Sequence, residues 1–445
     1  MSAIIELPIS RFFQSVSRFF FALTIFLIPF RWRMEVWPRA TFPVYADYTN
    51  FQIFAADIAL LYMLVFWAAS LIVNPRKLKA GSVFIWLFLV GLTVSGWVSV
   101  LGSEDPILSR YHAARFVFLL FFYLFIVNEI ENPAWLLVPV GFQILFQSVI
   151  AIAQSQAQFS LGLTALGELA LDPQRSGVSV ILSNGQRFLR SYGLSDHPNI
   201  LGGCLAFGLI LMLAVTLYGR RRQSLLASLV FLIAFPAMLM TFSRSAWISF
   251  FAAGSFLVMV ETLAQRWDVV RRAAILGVLS LLVAMPFIQK NISLFQSRAA
   301  SGNVSTDEPM KERAYLLNAG NLIFVEHSAI GIGLGASALA MKRHFPEFPV
   351  NYQPPHYALL TAAMETGLPG GAFYLLLGLT PFLMFALKWK TYSSQPIMVG
   401  SFALLLAMTV VGFFDYYTWL YVAGRMWQWL GWGLWSFAIS TREPA

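Results

Sequence analysis

The sequence predicts an all-α integral membrane protein of about twelve transmembrane helices, carrying a large, partly helical extracytoplasmic loop. Three observations lead there. Of 445 residues, 58% are hydrophobic and only 11% charged, less than half the roughly 25% charge of a soluble domain, so much of the surface must face lipid. The apolar residues gather in runs long enough to span a bilayer, which takes about 20 residues. Between these runs, lysine and arginine recur on alternate connections, the asymmetry that orients a membrane protein.

The runs fall near 12–30, 53–73, 82–101, 111–127, 134–155, 198–218, 224–241, 246–263, 273–289, 356–387, 395–414 and 417–438. Arg31 and Arg33 follow the first run where a cleavable leader would need small residues, so it reads as an uncleaved span. One face collects Arg76, Lys77, Lys79, Arg220, Arg221, Arg222, Arg266, Arg271, Arg272, Lys388 and Lys390, with Arg11, Arg18 and Arg442 near the ends. That face is expected to be cytoplasmic, and both termini with it. The connection 128–133 departs from the pattern, having two glutamates and no basic residue. The chain, 1–445, reads as a single polytopic membrane domain without internal repeats.

The opposite face holds two long polar segments, 156–197 and 290–355; long loops in compact proteins are commonly functional. In the second, Ser305, Thr306, Asp307, Glu308 and Pro309 supply capping and first-turn residues. Met310, Ala314, Leu317 and Phe324 then recur at helical spacing, predicting a helix near 309–327 on the membrane surface. Gly331-Ile-Gly-Leu-Gly335 closes it. In 356–387, Met364-Glu-Thr-Gly-Leu-Pro-Gly-Gly371 predicts a break within a span.

Composition also removes function classes. The single cysteine, Cys204, forms no intrachain disulfide, and five scattered histidines give no zinc-ligand spacing, so neither metal nor cofactor is expected. The net charge of +9 belongs to the topology signals, which argues against nucleic acid. There is no P-loop, dinucleotide fingerprint, Asp-X-Asp motif or GxSxG elbow. An outer-face substrate therefore has to arrive already activated.

Charge near hydrocarbon is costly, so its location is informative. On the outer face stand Arg190 in Arg190-Ser-Tyr-Gly, Arg244 in Thr241-Phe-Ser-Arg-Ser245, Arg313 on the loop helix, and His356 after two prolines. Arg244 alone reads as an arginine snorkelling to headgroups. Beside Ser243, Ser245 and two further outer arginines it reads better as part of an anion site, since guanidinium presents a planar fork suited to phosphate. Arg313 alone is an ordinary helix charge able to pair with Glu308 or Glu312. Asp196 and Asn199 suit helix capping around Pro198, and His197 stays open between cap and site. His356 is either a polar helix start or a base near neutral pH. Glu365 and Arg425 lie deep enough to suggest a buried ion pair, and Asp415 is the remaining outer acid.

Taken in order, Arg190-Ser-Tyr-Gly with His197-Pro-Asn199, Ser243-Arg244, Arg313 with Gly331-Ile-Gly-Leu-Gly335, and His356 with Glu365-X-Gly367 resemble the O-antigen ligase and O-antigen polymerase superfamily over roughly 185–420. The resemblance implies a C-type glycosyltransferase fold in the bacterial inner membrane, with its active site facing the periplasm. The implied donor is an undecaprenyl-diphosphate-linked glycan among the membrane lipids, and the acceptor lipid A-core or another glycan. It implies metal-independent, inverting transfer, with Arg190, Arg244 and Arg313 binding the diphosphate and His356 essential. Asp415, Glu365 and His197 would support them. A polymerase of lipid-linked repeat units fits the same motifs. A transporter or flippase is the rival from another class; it calls for midplane substrate residues and related halves, whereas these residues gather at one face. A purely structural envelope partner leaves the arginines unexplained.

Overall fold

The computed structural model of the protein describes residues 8–299 and 304–440, with side chains over 8–298 and 310–440. Long helices follow the hydropathy runs: α1 Pro8–Leu27, α2 Ala55–Val73, α3 Val83–Val98, α4 Pro106–Glu129, α5 Ala134–Ala157, α6 Pro198–Tyr218, α7 Arg221–Met240, α8 Arg244–Leu263 and α9 Trp267–Lys290. The large loop adds α10 Ile292–Ala299, α11 Val304–Glu326 and α12 Ser337–His344. The chain ends with α13 Ala358–Leu387, the short α14 Trp389–Tyr392, α15 Pro396–Phe414, the short α16 Tyr417–Leu420 and α17 Val422–Ser440. Arg442 lies outside the described residues, as do Ser301, Gly302 and Asn303; the side chains of the expected capping residues 305–309 are likewise outside the description.

Ten of these helices, α2 to α9, α13 and α15, are long and apolar enough to cross a membrane. This is two fewer than the hydropathy reading. The two it drops are explained by composition: α1 carries Arg11, Gln14 and Arg18, and α17 carries Arg425, Gln428 and several glycines. Helix α17 is nonetheless at the heart of the bundle, with Trp427, Trp429 and Trp435 fully buried. Protein rather than lipid surrounds it, so polar residues are tolerated there when partnered.

The fold also departs from all-α, because two short antiparallel hairpins lie in the connections. Strands β1 Arg33–Trp37 and β2 Phe51–Phe54 pair in one; β3 Val180–Ser183 and β4 Gln186–Leu189 pair in the other, with Val180 opposite Leu189 and Ser183 opposite Gln186. The second turns at Asn184-Gly185, both with positive φ (52° and 75°), the favoured two-residue hairpin turn. That dipeptide was the available sequence signal for it.

The predicted break in α13 is at Gly367, whose φ of 69° and ψ of −176° interrupt the helix. The glycine-rich turn after α11 fits into it. Ile332 N–H donates to the Met364 carbonyl and Gly333 N–H to that of Glu365, both at 3.0 Å, while Leu368 N–H donates to Ser328 at 2.7 Å. Backbone groups freed at a break inside a membrane protein must be satisfied by other protein groups, and the loop does so here.

The two glutamates of 128–133 are neutralised by the basic end of the bundle. Glu129 accepts from Trp67 at 2.8 Å and Arg76 at 2.5 Å, and Glu131 from Arg18 at 2.7 Å. This physical pairing accounts for a connection that lacks its own basic residue.

Candidate functional site

At the opposite end, a cavity of about 1060 Å³ opens between α8, α10, α11 and α13. Its polar lining includes Arg244, Arg298, Arg313, His356 and Asn199, and its apolar lining includes Ile248, Leu359, Leu368, Leu375, Phe413 and Phe414. Arg244, Arg313 and His356, predicted from distant stretches of sequence, thus share one space. Arg298 was not anticipated.

Local structure explains each position. Helices α7 and α8 are joined by only Thr241, Phe242 and Ser243, so Arg244, the first residue of α8, is confined to the rim. Phe242 takes a left-handed conformation, φ 48°, uncommon for a bulky residue. Its ring is locked in a cluster with Ile181 of β3 and Leu294 of α10, against which Trp247, Phe287 and Phe295 pack. The same cluster seats α10, so that Arg298 reaches the cavity with its Nε 3.4 Å from the Phe242 carbonyl. On α11, the apolar series Met310, Ala314, Leu317 and Phe324 lines the cavity beside Arg313. The helical spacing read from sequence therefore marks a cavity wall.

The cations are incompletely neutralised. Burial, then repulsion from Arg244 and Arg313, pushes the Arg298 guanidinium down to about 10; it remains charged near neutrality. Glu312 accepts from Gln353 at 2.8 Å and is thereby engaged away from Arg313; the side chain of Glu308 is outside those described. Neither Arg244 nor Arg313 has a hydrogen bond or ion pair to another described side chain. Three guanidinium groups around one space amount to a site for an anion.

His356 is the other chemical group on the wall. Its Nδ1 stands 3.6 Å from Oδ1 of Asp415, an imidazole–carboxylate contact longer than a hydrogen bond, and its ring packs at a steep angle to that of Tyr416, 4.9 Å between centroids. Asp415 is fixed from two sides, accepting from Tyr416 N–H at 2.9 Å and from Asn199 Nδ2 at 3.0 Å. Burial opposes its ionisation, but His356, then Arg313 and His197, outweigh this and hold the carboxyl at about 2. A carboxylate beside one ring nitrogen leaves Nε2 available for proton transfer.

Arg190 is placed differently. It is buried behind the wall, with Nε on the Thr241 carbonyl at 2.8 Å, Nη1 on Ser179 Oγ at 2.8 Å and Nη2 on Asn199 Oδ1 at 2.6 Å. Arg190, Asn199, Asp415 and His356 therefore form a continuous polar chain. Burial lowers the Arg190 guanidinium to about 9, with Arg298 and Arg244 adding repulsion and Tyr192 and Asp415 opposing it.

The capping expectation needs correction. His197 is the N-cap of α6: its Nδ1 accepts from Asn199 N–H at 3.1 Å. Burial, then the charge of Arg190, drives its imidazole down to about 3, so it caps as the neutral form. Asp196 instead pairs with Arg33 at 2.8 Å and Arg31 at 3.0 Å, and Asn199 links Arg190 to Asp415. The basic residues behind α1 and the β1–β2 hairpin outcompete the helix terminus for the carboxylate.

Glu365 and Arg425 are both buried but do not pair. Glu365 accepts from Ser337 Oγ at 2.5 Å and from Trp419 Nε1 at 2.8 Å. Arg425 donates through Nε to the Trp419 carbonyl, lies 3.1 Å through Nη1 from His112 Nδ1, and stacks over Phe116 at 4.9 Å. Trp419 stands between them and bonds to both. Glu365 thus supports the Gly367 break and lies apart from the cavity wall.

Residues 229–375 match the family model described as O-antigen ligase, which bears out the superfamily resemblance. The matched segment contains Arg244, Arg298, Arg313 and His356; Arg190, Asn199 and Asp415 lie outside it. No curated protein matches the chain.

Proposed function

We propose that the protein transfers a glycan from undecaprenyl diphosphate to a hydroxyl acceptor at the outer face of a bacterial inner membrane, as an O-antigen ligase. The observation that carries this reading is a single cavity whose lining combines three arginines and a histidine with hydrocarbon side chains. A lipid diphosphate has the same two-part chemistry. In this reading both termini are cytoplasmic, α1 and α17 complete a twelve-helix bundle, and the cavity opens to the periplasm.

The diphosphate rests against Arg244, Arg298 and Arg313. The acceptor oxygen attacks the anomeric carbon from the opposite side and inverts it. A new carbon–oxygen bond forms, the bond to the diphosphate oxygen breaks, and the acceptor proton passes to His356. Negative charge grows on the departing diphosphate, so arginines already in place stabilise the transition state, each by an amount whose loss costs about 10²–10³ in rate. Asp415 stabilises the imidazolium that forms, and Arg190 holds Asp415 through Asn199. Arg190 thus acts as a positioning residue, a role its committed N–H groups favour over direct phosphate contact.

Purified protein incubated with a lipid-linked oligosaccharide and a hydroxyl acceptor, without nucleotides, should yield a new glycosidic product and free polyprenyl diphosphate. Uptake or flipping of the lipid without product would overturn the proposal. The lipid A-core acceptor is tested separately by surface glycan lengths in a deletion strain. Unmodified core with accumulated lipid-linked polymer supports the ligase; core bearing single repeats identifies a polymerase instead.

A further inference from the structure

Away from the cavity, the fold gathers Glu104, His327 and His344, one ligand-capable atom from each lying within 4.8 Å of the others. They come from the segment before α4, the residue after α11 and the last residue of α12. Local spacing gave no hint of this, and the expectation of no metal rested on spacing alone.

We propose that Glu104, His327 and His344 bind a divalent transition-metal ion, with Zn²⁺ the best fit, and that Glu326 orients His344 toward it. Nε2 of His344 stands 3.8 Å from Oε1 of Glu104. That is too far for a hydrogen bond yet close to the roughly 3.3–3.6 Å separating two ligands on a zinc with bonds near 2.0–2.2 Å. The other ring nitrogen, Nδ1, faces Glu326 Oε2 at 3.2 Å, and metal-bound histidines commonly turn their second nitrogen to a carboxylate. The second oxygen of Glu104 is held by Arg343 at 2.5 Å, which leaves Oε1 for the metal. The His327 ring lies edge-on to His344 at 5.2 Å, so a movement of about 1 Å closes the set around an ion. Two imidazoles and a carboxylate suit zinc over calcium or magnesium, with water in the fourth position.

The physical consequence is a clamp. Glu104 N–H already donates to the Ile332 carbonyl at 3.0 Å, and an ion would tie the ends of α11 and α12 to the head of α4. Since α11 carries Arg313, the metal would hold one wall of the cavity.

Tag-free full-length protein in detergent, stripped with chelator and titrated with Zn²⁺, should take up one ion per chain, measured by calorimetry and elemental analysis. Loaded with Co²⁺ instead, it should show the intense visible bands of low-coordinate cobalt. His327→Asn and His344→Gln should each abolish stoichiometric uptake. Glu326→Gln, at a largely exposed side chain, should weaken it about 10–100-fold without disturbing the fold. His356→Asn should leave it unchanged. Absence of uptake by the unaltered protein, uptake that survives both histidine substitutions, or uptake that disappears with His356→Asn would overturn the proposal.

Discussion

Asp415, buried behind the wall, stands 3.6 Å from His356, which lines a cavity that also holds three arginines. The carboxylate is already engaged by Asn199 and the Tyr416 backbone, so it can orient and electrostatically support the imidazole without accepting its proton. If His356 is the base, His356→Ala should lower kcat by about 10²–10⁴-fold with donor KM little changed. Asp415→Asn should show the same kcat-dominated loss, which steady-state kinetics on purified protein would measure. Equal loss in KM alone would assign both residues to binding.

The arginines should divide into two kinetic classes. Arg244→Gln, Arg298→Gln and Arg313→Gln each remove positive charge from the cavity and should cost about 10²–10³ in rate, with weaker retention of lipid diphosphate. Arg190→Lys keeps the charge but cannot reproduce three directed N–H bonds. In the proposed reaction it should lower kcat without weakening binding of polyprenyl diphosphate, the product that reaction releases. Weakened product binding would move Arg190 into the contact set.

His197 makes stability depend on pH. Its folded-state pKa, about 3, lies below the usual imidazole value of 6.5, so the unfolded chain binds more protons between those values. The contribution is present above pH 6.5 and is lost as pH falls toward 3. Lowering pH from 7 to 5 should cost on the order of 1–2 kcal/mol from this group. His197→Asn retains a capping side chain and should flatten that part of the pH dependence in thermal unfolding of detergent-solubilised protein.

The interlocked glycines should be intolerant of substitution. A Cβ on Gly331, at φ 78°, would come within 2.5 Å of the Glu365 carbonyl group and the Gly367 nitrogen. Neither backbone can retreat without opening the α13 break. Gly331→Ala should sharply reduce folded yield in size-exclusion chromatography. Gly277→Ala in α9, where an added Cβ meets nothing within 4 Å, should not.

By itself the sequence determined the membrane class, the positions of the long helices, the break in α13 and the placing of Arg244, Arg313 and His356 in a common region. Those features follow from hydropathy, turn chemistry and the cost of charge in lipid, all of which act locally along the chain. Tertiary structure decided the partners: Arg298 as a third cavity arginine, Asp415 beside His356, Arg190 behind the wall, His197 as cap, and Trp419 between Glu365 and Arg425. It also brought Glu104, His327 and His344 together. Such contacts depend on the direction of each side chain and on helices distant in sequence approaching within a few ångströms, neither of which residue spacing encodes.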